Sequence, residues 1–361
     1  MKRSILSALT FGLLFFVACT PAQKTYTLKG STAADLDGDT IYLIDNFTQN
    51  RLDSVVVAEG AFEFSGPFEK ASLNQVFHSR ALAMPFVLEE GVINITLSPE
   101  VRTATGGPLN EKRNAFNEEQ KAINNEVQTY YTSLIEQELD RAELNKAMQE
   151  FYAENNVEER AINSIKNYFN ENTDNILCVD AITNLVNNIS DEELSEMIAK
   201  VGLDYADHSV VVNIKKQTEA SAATAEGMMF SDFTVQDEEG NDVSLSDYVG
   251  KGKYVLADFW ASWCGPCIAE VPNLKEIYET YKGDNFEILG VAVWDELDAT
   301  KKSIDELGLT WPQILNTQRA ATDVYAIRGI PHIILFGPDG TILNRGIRGE
   351  EIKTILADIF K

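Results

Sequence analysis

The sequence predicts a chain of three parts: a small antiparallel β domain, then a helical segment, then an α/β domain. Between 26 and 105, short runs alternate apolar and polar residues and are separated by turn residues, a pattern typical of β-strands. Between 110 and 218, apolar residues recur at helical spacing. Beyond 227, strand-like and helix-like stretches alternate. The 361 residues leave room for this division, because a single core seldom grows beyond roughly 250 residues.

The first 18 residues have the composition of a secretory signal. Two basic residues precede an apolar run over 5–18 that is too short to be a permanent membrane span. The run ends in Phe16-Val17-Ala18-Cys19, which resembles the lipobox where bacterial lipoproteins are cut and the next cysteine is lipidated. We therefore expect a signal peptide over 1–18 and a lipid anchor on Cys19 that holds the mature protein on a membrane, outside the cytoplasm. The alternative is a secreted protein without lipid.

The β domain is predicted over 19–105, as a sandwich. Its strands are predicted over 40–44, 53–57, 61–64, 83–88 and 92–97. The turn residues Glu59-Gly60 separate one pair of strands, and Glu89-Glu90-Gly91 separate another. Each pair is predicted to form a hairpin.

The helical segment is predicted over 106–218 and is interpreted as a bundle with an apolar core. Its first helix places Phe116, Ile123 and Leu134 on one face. Further helices are predicted over 141–152 and 158–169, and Ser190 begins another in a capping-box pattern. The small residues of 219–227 predict a linker to the last domain.

The last domain, 228–361, has the strand and helix order of an α/β fold. Tyr254 to Trp260 is apolar except for Asp258, which suits a strand buried on both faces. The other predicted elements are an opening hairpin within 230–245, helices over 267–281, 298–308 and 350–360, a strand over 286–293, and a hairpin of 333–336 with 341–345.

Two cysteines, Cys264 and Cys267, lie where the buried strand meets the next helix. Positions i and i+3 face each other on a helix, so cysteines at this spacing can form and open a disulfide. Cys264 is predicted at the exposed helix N-terminus, where unpaired amides and the helix dipole favour a thiolate, and we assign it as the nucleophile. Cys267, one turn further in, is predicted to be shielded and to resolve the mixed disulfide.

Composition excludes several functional classes. A net charge of −26 disfavours phosphate backbones, so no nucleic acid is expected as a partner. Four cysteines are too few and too clustered for a disulfide framework, and Cys178 lies in an apolar run that predicts a buried thiol. A zinc site would need two more soft ligands beside Cys264 and Cys267, so no metal is expected. The redox-active disulfide itself is the only reactive group that the sequence predicts.

The string Asp-Phe-Trp-Ala-Ser-Trp-Cys-Gly-Pro-Cys over 258–267 resembles the thioredoxin superfamily, specifically its membrane-tethered thiol:disulfide oxidoreductases of the ResA and TlpA type in Bacteroidetes. The resemblance covers about 229–361 and implies a thioredoxin-like fold. Residues 26–105 resemble a β domain found at the N-terminus of many Bacteroidetes lipoproteins. That second resemblance implies nothing catalytic, and the expected roles of the domain are spacer, homodimer contact or partner docking.

The resemblance also implies roles for two acids. Asp258 matches the buried acid of thioredoxins, which exchanges protons with the resolving thiol. Glu270 matches an acid that ResA-type proteins keep beside the active site. An exposed helix glutamate with no such role is an equally open interpretation of Glu270.

The remaining implied site residues would contact a partner protein. Ile330 and Pro331 match the cis-proline loop, along which an extended partner segment pairs. Gly265 would let the partner backbone approach, and Pro266 lacks an N–H and helps set the redox potential in this family. Trp263 is expected to be partly exposed as an apolar docking surface.

The expected function is reduction of disulfides in cell-envelope proteins, including substrates of cytochrome c maturation, with electrons from a membrane thiol reductant. Asp258, and Gly-Pro between the cysteines, favour the reducing direction. Two alternatives stay open. One is a non-catalytic lipoprotein that binds a partner through its β and helical domains, and the other is a dithiol oxidase or peroxidase.

Overall fold

The structure, a computed structural model, describes residues 23–32 and 36–361. The predicted signal peptide and Cys19 lie outside the described residues. The described residues fall into two compact units, one of the residues up to Ser164 with Asn175–Leu177, and the other of Ile165–Asp174 with Cys178–Lys361. Among the described residues, no helix is both long enough and apolar enough to cross a bilayer.

The first unit begins with two four-stranded sheets of order β4-β1-β7-β8 and β3-β2-β5-β6. Their strands are β1 (Thr25–Thr32), β2 (Thr40–Asp45), β3 (Arg51–Val56), β4 (Ala61–Pro67), β5 (Ser72–Ser79), β6 (Leu82–Leu88), β7 (Gly91–Leu97) and β8 (Arg102–Thr105). Leu28 and Phe64 of one sheet share a buried core with Ile41, Val76 and Phe86 of the other. This packing of two sheets around one core is the predicted sandwich.

The predicted hairpins of this domain are wrong in the pairing of their strands, although Glu59-Gly60 does form a tight turn that is closed by an antiparallel bridge between Ala58 and Ala61. Strand β3 pairs with β2, and β4 pairs with β1, so Glu59-Gly60 carries the chain from one sheet to the other. The turn at Glu89-Glu90-Gly91 does the same between β6 and β7. In a sandwich, two consecutive strands point their apolar residues at the same core whether they pair in one sheet or face each other from two sheets. Alternation of apolar and polar residues therefore cannot distinguish a hairpin from a crossing between sheets. Strands β1 and β7 are also parallel, whereas the other pairs in the two sheets are antiparallel.

Six helices follow over the middle of the chain. They are α1 (Pro108–Ile135), α2 (Arg141–Glu154), α3 (Val157–Asn170), α4 (Leu177–Leu185), α5 (Asp191–Ile198) and α6 (Ser209–Ala223). The buried carboxylate of Glu89 accepts hydrogen bonds from the backbone N–H groups of Leu109 at 3.0 Å and Asn110 at 2.9 Å, which satisfies amides of the first turn of α1. Ser190 caps α5 as predicted, since its side chain accepts a hydrogen bond from the Glu193 N–H.

The predicted linker over 219–227 is wrong for its first part, because α6 continues to Ala223. Alanine has the highest helix propensity, and the run of small residues that looked featureless contains four alanines between 220 and 225. The rest of the segment is held in place. Gly227 N donates to the carbonyl oxygen of Ile342 at 2.8 Å, and Arg345 Nη1 donates to the carbonyl oxygen of Thr224 at 2.8 Å.

The C-terminal domain contains a short hairpin of β9 (Thr234–Gln236) with β10 (Asp242–Ser244), and a five-stranded sheet of order β13-β12-β11-β14-β15. The strands of the sheet are β11 (Tyr254–Trp260), β12 (Phe286–Ala292), β13 (Gln313–Ile314), β14 (His332–Phe336) and β15 (Ile342–Arg345). The helices are α7 (Gly265–Tyr281), α8 (Leu297–Leu307), α9 (Ala320–Val324) and α10 (Glu350–Ile359). Strands β11 and β12 are parallel, and β11 and β14 are antiparallel.

Strand β11 lies at the centre of this sheet and is buried on both faces, as its apolar sequence predicts. Leu256 faces a core that includes α7 and α10, whereas Val255 and Ala257 face the core on the other side. Side chains alternate along a strand, so Asp258 and Trp260 point to the same face as Leu256. The strand therefore directs its one acid under the helix that carries the cysteines.

Candidate active site

Cys264 and Cys267 form a disulfide at the N-terminus of α7, with an S–S distance of 1.99 Å. Cys264 is the N-cap residue of the helix, and its Sγ accepts a hydrogen bond from the Cys267 backbone N–H at 3.2 Å. Pro266 lies in the first turn, where a missing N–H costs nothing. The start of the helix thus presents an amide donor to the sulfur that would carry negative charge.

The predicted contrast between an exposed Cys264 and a shielded Cys267 is absent in this disulfide form. Their exposed fractions are 4% and 1%. Both belong to one apolar cluster with Trp260 and Ala261, against which Ile330 packs. The Cys264 side chain is bonded to Cys267 and packed within this cluster, which agrees with its low exposure.

The surroundings of the disulfide contain the predicted docking residues. Trp263 is 61% exposed, and its indole Nε1 donates to the carbonyl oxygen of Trp294 at 2.9 Å. A Cβ added at Gly265 would meet no atom within 4 Å beyond its chain neighbours and its own helix backbone, so the space beside this residue is open. The Ile330-Pro331 peptide bond is cis and lies just before β14.

Asp258 is the buried acid of the site. Its residue is 4% exposed, and no atom of the described chain forms a hydrogen bond with its Oδ1. Burial, and then the charge of Glu270, raise the pKa of this carboxyl to about 7. A carboxyl with this pKa can accept or release a proton near neutral pH.

Glu270 lies one turn after Cys267 on α7 and is partly buried. Its Oε1 accepts hydrogen bonds from Asn273 Nδ2 at 2.6 Å and from the Gly349 backbone N–H at 3.0 Å. These bonds connect α7 to the residue that precedes α10. Glu270 is thus neither a plain exposed glutamate nor only a neighbour of the thiols, since it joins two helices and acts electrostatically on Asp258.

A second buried acid, Asp295, holds the loop before Cys264 and was not predicted. Its carboxylate accepts hydrogen bonds from the Ser262 N–H at 2.6 Å, from Ser262 Oγ at 2.9 Å and from Thr300 Oγ1 at 2.9 Å. These bonds attach the active-site loop to the first turn of α8. Sequence offered one weak signal, an acidic residue two positions after Val293, which follows the apolar strand β12.

The cis-proline loop is attached to the helical segment through Arg328. Its Nη1 donates to the carbonyl oxygen of Val186 at 3.1 Å, and its Nη2 pairs with Asp191 Oδ1 at 2.6 Å. A groove of about 300 Å³ lies beside this contact, and Trp294 and Gln217 are among its lining residues. Part of the helical segment therefore contacts the chain just before the cis-proline, which the sequence did not predict.

Other candidate groups have different surroundings. Cys178 is buried and unpaired among the described cysteines, and burial raises the pKa of its thiol to about 11. His332 follows the cis-proline, and burial lowers the pKa of its imidazole to about 4, so the ring is neutral at physiological pH. Within 23–32 and 36–361, no group of His, Cys, Asp and Glu side chains is arranged to hold a metal ion.

Comparison with family models gives two matches. A model of the AhpC/TSA family matches residues 227–345. A model of a domain of unknown function, DUF4369, matches residues 26–112. The two matches fall on the C-terminal α/β domain and on the N-terminal sheets with the start of α1.

Among curated relatives, the thiol-disulfide oxidoreductase ResA of Geobacillus kaustophilus is 35% identical over 120 residues, which are 33% of this chain and 68% of the relative. ResA of Geobacillus thermodenitrificans is 34% identical over 140 residues, which are 38% of this chain and 79% of the relative. The C-terminal domain is thus the α/β thioredoxin-like domain that the sequence predicts.

Two solved structures from Bacteroides are also similar. The thioredoxin domain of a thiol-disulfide oxidoreductase from Bacteroides vulgatus is 37% identical, with a TM-score of 0.35, and the match covers 38% of this chain and 99% of that chain. A thiol-disulfide oxidoreductase from Bacteroides fragilis is 32% identical, with a TM-score of 0.33, and the match covers 36% of this chain and 98% of that chain.

Proposed function

The chain belongs to the family of thiol-disulfide oxidoreductases that includes ResA, and from this membership we propose that it reduces disulfide bonds in proteins of the cell envelope. One observation carries the proposal. A closed Cys264–Cys267 disulfide lies at a helix N-terminus, and a buried acid of raised pKa, Asp258, lies in the strand that leads to it. This arrangement provides a thiolate, a resolving thiol and a proton acceptor.

The first step of the reaction uses the reduced form of the protein. The Cys264 thiolate attacks one sulfur of the partner's disulfide, a new S–S bond forms, and the other partner sulfur leaves with the electron pair as a thiolate. The Cys267 N–H, which lies 3.2 Å from Cys264 Sγ, favours the thiolate before the attack.

The second step releases the partner. Cys267 gives its proton to the Asp258 carboxylate and attacks Cys264 Sγ, so the Cys264–Cys267 bond forms and the bond to the partner breaks. The partner leaves as a thiolate that takes a proton from solvent. With a pKa of about 7, Asp258 is partly ionised at neutral pH and can act as the base in this step.

The partner is held by the residues around the disulfide. An extended segment lies along the Ile330-Pro331 loop, its backbone passes over Gly265, and apolar side chains pack on Trp263. The open space at Gly265 and the exposed indole support this docking mode. Residues next to the partner's cysteine are therefore expected to be apolar or small.

The proposed location is the outer side of a cell membrane, with a lipid on Cys19 as anchor. Cys19 follows the lipobox-like residues, and the secretory composition of 1–18 supports export. There the dithiol is recharged by a membrane thiol reductant, and its substrates include apoproteins of cytochrome c maturation. The N-terminal β domain would serve as a partner-docking or homodimer surface.

Two assays test the proposal. The full chain is expected to reduce insulin disulfides in the presence of a thiol reductant, and the Cys267→Ala variant is expected to accumulate a mixed disulfide through Cys264. The Cys264→Ala variant is the matched control and should form none. Absence of both turnover and trapping would leave the binding-module alternative in place. Rapid consumption of hydrogen peroxide without insulin reduction would favour the peroxidase alternative instead.

A further inference from the structure

Gln313 lies in the same row of the central sheet as Asp258. Asp258 of β11 pairs with Gly290 of β12, and Gly290 pairs with Gln313 of β13. Residues that pair across neighbouring strands point to the same face of a sheet, so the side chains of Asp258 and Gln313 lie on one face with a glycine between them.

The missing side chain at Gly290 leaves room that the Gln313 amide fills. A Cβ added at Gly290 would lie 1.9 Å from Gln313 Oε1 and 2.6 Å from its Nε2. Neighbouring strands are about 4.8 Å apart, so an amide placed over the middle strand lies about 5 Å from the row position of Asp258. One water molecule bridges two polar groups at such a separation.

The orientation of this amide is fixed by Trp260. The indole Nε1 donates to Gln313 Oε1 at 3.1 Å, so the amide oxygen faces Trp260 and the NH₂ group faces elsewhere. The Gln313 Nε2 and the Asp258 Oδ1 are both buried, and neither has a hydrogen-bond partner in the described part of the chain. A donor and an acceptor in one row of the sheet are therefore complementary.

Gln313 also lies at the edge of the sheet, on β13, beside a groove. It lines a groove of about 290 Å³ together with Gln236 of the β9–β10 hairpin, Leu297 of α8 and Asn316. The groove therefore lies next to Gln313 and is lined by residues other than the docking residue Trp263.

We propose that Gln313 is a positioning residue for proton transfer at Asp258. Its Nε2 donates a hydrogen bond, through one water, to the Asp258 carboxylate, and the same water passes the proton between Asp258 and the groove. The inference rests on the proposed dithiol reaction. When Cys267 attacks Cys264 Sγ, the Cys267 proton moves to Asp258, the partner sulfur leaves with the electron pair, and Asp258 then releases its proton through that water to solvent.

The other groups that face Asp258 would not replace this contact. From α7, Glu270 acts on it with a like charge that disfavours the carboxylate, and Cys264 and Cys267 belong to an apolar cluster with Trp260. On β14 its paired neighbour is Ile333, which is apolar. A hydrogen bond to a charged group is strong enough to move a pKa by about one unit, so loss of the Gln313 donor should raise the pKa of Asp258 by that amount.

The test compares two substitutions in the full chain. Gln313→Met has similar length and no amide, and Gln313→Glu keeps an oxygen for the Trp260 indole but lacks the NH₂ donor. Carbon-13 NMR of labelled aspartate carboxyls in the reduced protein gives the Asp258 titration midpoint, and stopped-flow kinetics give the rate of the resolving step against pH. Gln313→Met should titrate about one pH unit higher and resolve about tenfold more slowly at pH 6, with rates converging above pH 9. Gln313→Glu should shift the Asp258 midpoint further in the same direction, because its carboxylate adds a like charge to the loss of the donor.

A second set of variants separates the proton route from simple support of Trp260. In the Asp258→Asn background, neither Gln313 substitution should change the rate further. The inference would be overturned if only Gln313→Met slowed the resolving step, or if the Gln313 substitutions slowed it equally in the Asp258→Asn background. Either result would point to support of the Trp260 indole, which does not depend on Asp258. Unchanged midpoints in both variants with normal wild-type turnover would also overturn it, but would leave the dithiol function intact. Failure of the wild type to reduce any disulfide would refute the proposed function itself.

Discussion

Replacement of Asp258 by asparagine should stabilise the oxidised protein at neutral pH. The carboxyl is buried, and its pKa is raised to about 7 from an ordinary value of 3.8, by burial and by Glu270. Between these two pH values the folded protein keeps the proton while the unfolded chain has lost it. The wild type therefore loses stability as the pH rises from about 4 to about 7, and the total loss is about 4 kcal/mol at 1.36 kcal/mol per pH unit.

The asparagine side chain does not ionise and escapes this loss. The difference in unfolding free energy between Asp258→Asn and wild type should be near zero at pH 4, grow through pH 6 and level off above pH 7. Urea unfolding followed by tryptophan fluorescence measures it directly. The chain has four tryptophans, and all lie between 260 and 311, so the signal reports on the domain that contains Asp258.

Asp284→Asn is the matched control, because Asp284 is exposed in a loop of the same domain. It should change the unfolding free energy little at any pH. The electrostatic reasoning would be refuted if the difference between Asp258→Asn and wild type did not vary with pH, or if Asp258→Asn were less stable than wild type at pH 8.

Asp258→Asn should also resolve mixed disulfides more slowly than wild type, because it lacks the proton acceptor.

Three further substitutions test other parts of the structure. Glu270→Gln keeps the oxygen that binds the start of α10 but removes a negative charge, so the titration midpoint of Asp258 in carbon-13 NMR should fall below about 7. Arg328→Gln loses its partly exposed ion pair with Asp191. Amide hydrogen exchange over 186–198 should therefore become faster, because the free energy of local opening there falls by about 1 kcal/mol. Glu89→Ala leaves backbone amides at the start of α1 unpaired. Denaturant unfolding followed by circular dichroism should show that the unfolding free energy of the β domain falls by about 2 kcal/mol. An unchanged unfolding curve would show that the Glu89 hydrogen bonds do not stabilise this domain.

Local patterns predicted the parts of the fold that local physics decides. The strand over 254–260 matches β11 residue for residue, because burial on both faces produces a continuous apolar run. The cysteine spacing predicted the helix start at which the disulfide lies, since residues three apart face each other within one turn. Ser190 was recognised as a helix cap for the same reason.

Features that depend on pairing between distant segments were not predicted. Alternation in β3 and β4 was the same whether the strands paired or faced each other across a core. Gln313 is a polar residue in a strand of two residues, and its position beside Asp258 follows only from the register through Gly290. Arg328 likewise binds Val186 and Asp191, which lie 142 and 137 positions earlier in the sequence.

The burial of Cys264 shows a third kind of limit. Position at a helix N-terminus predicted an exposed sulfur, which is a property of the helix alone. In the oxidised structure the side chain is instead bonded to Cys267 and packed with Trp260. The packing of Ile330 from a distant part of the chain against this cluster is a tertiary contact that the helix position alone does not predict.

The reduction potential of the Cys264–Cys267 pair tests the central claim most directly. It can be measured by equilibrating the full chain with glutathione or dithiothreitol buffers and separating the reduced and oxidised forms after thiol alkylation. A reductase of envelope disulfides should have a potential near that of thioredoxin, about −270 mV. A value near that of the oxidant DsbA, about −120 mV, would contradict the account and assign the dithiol to disulfide formation.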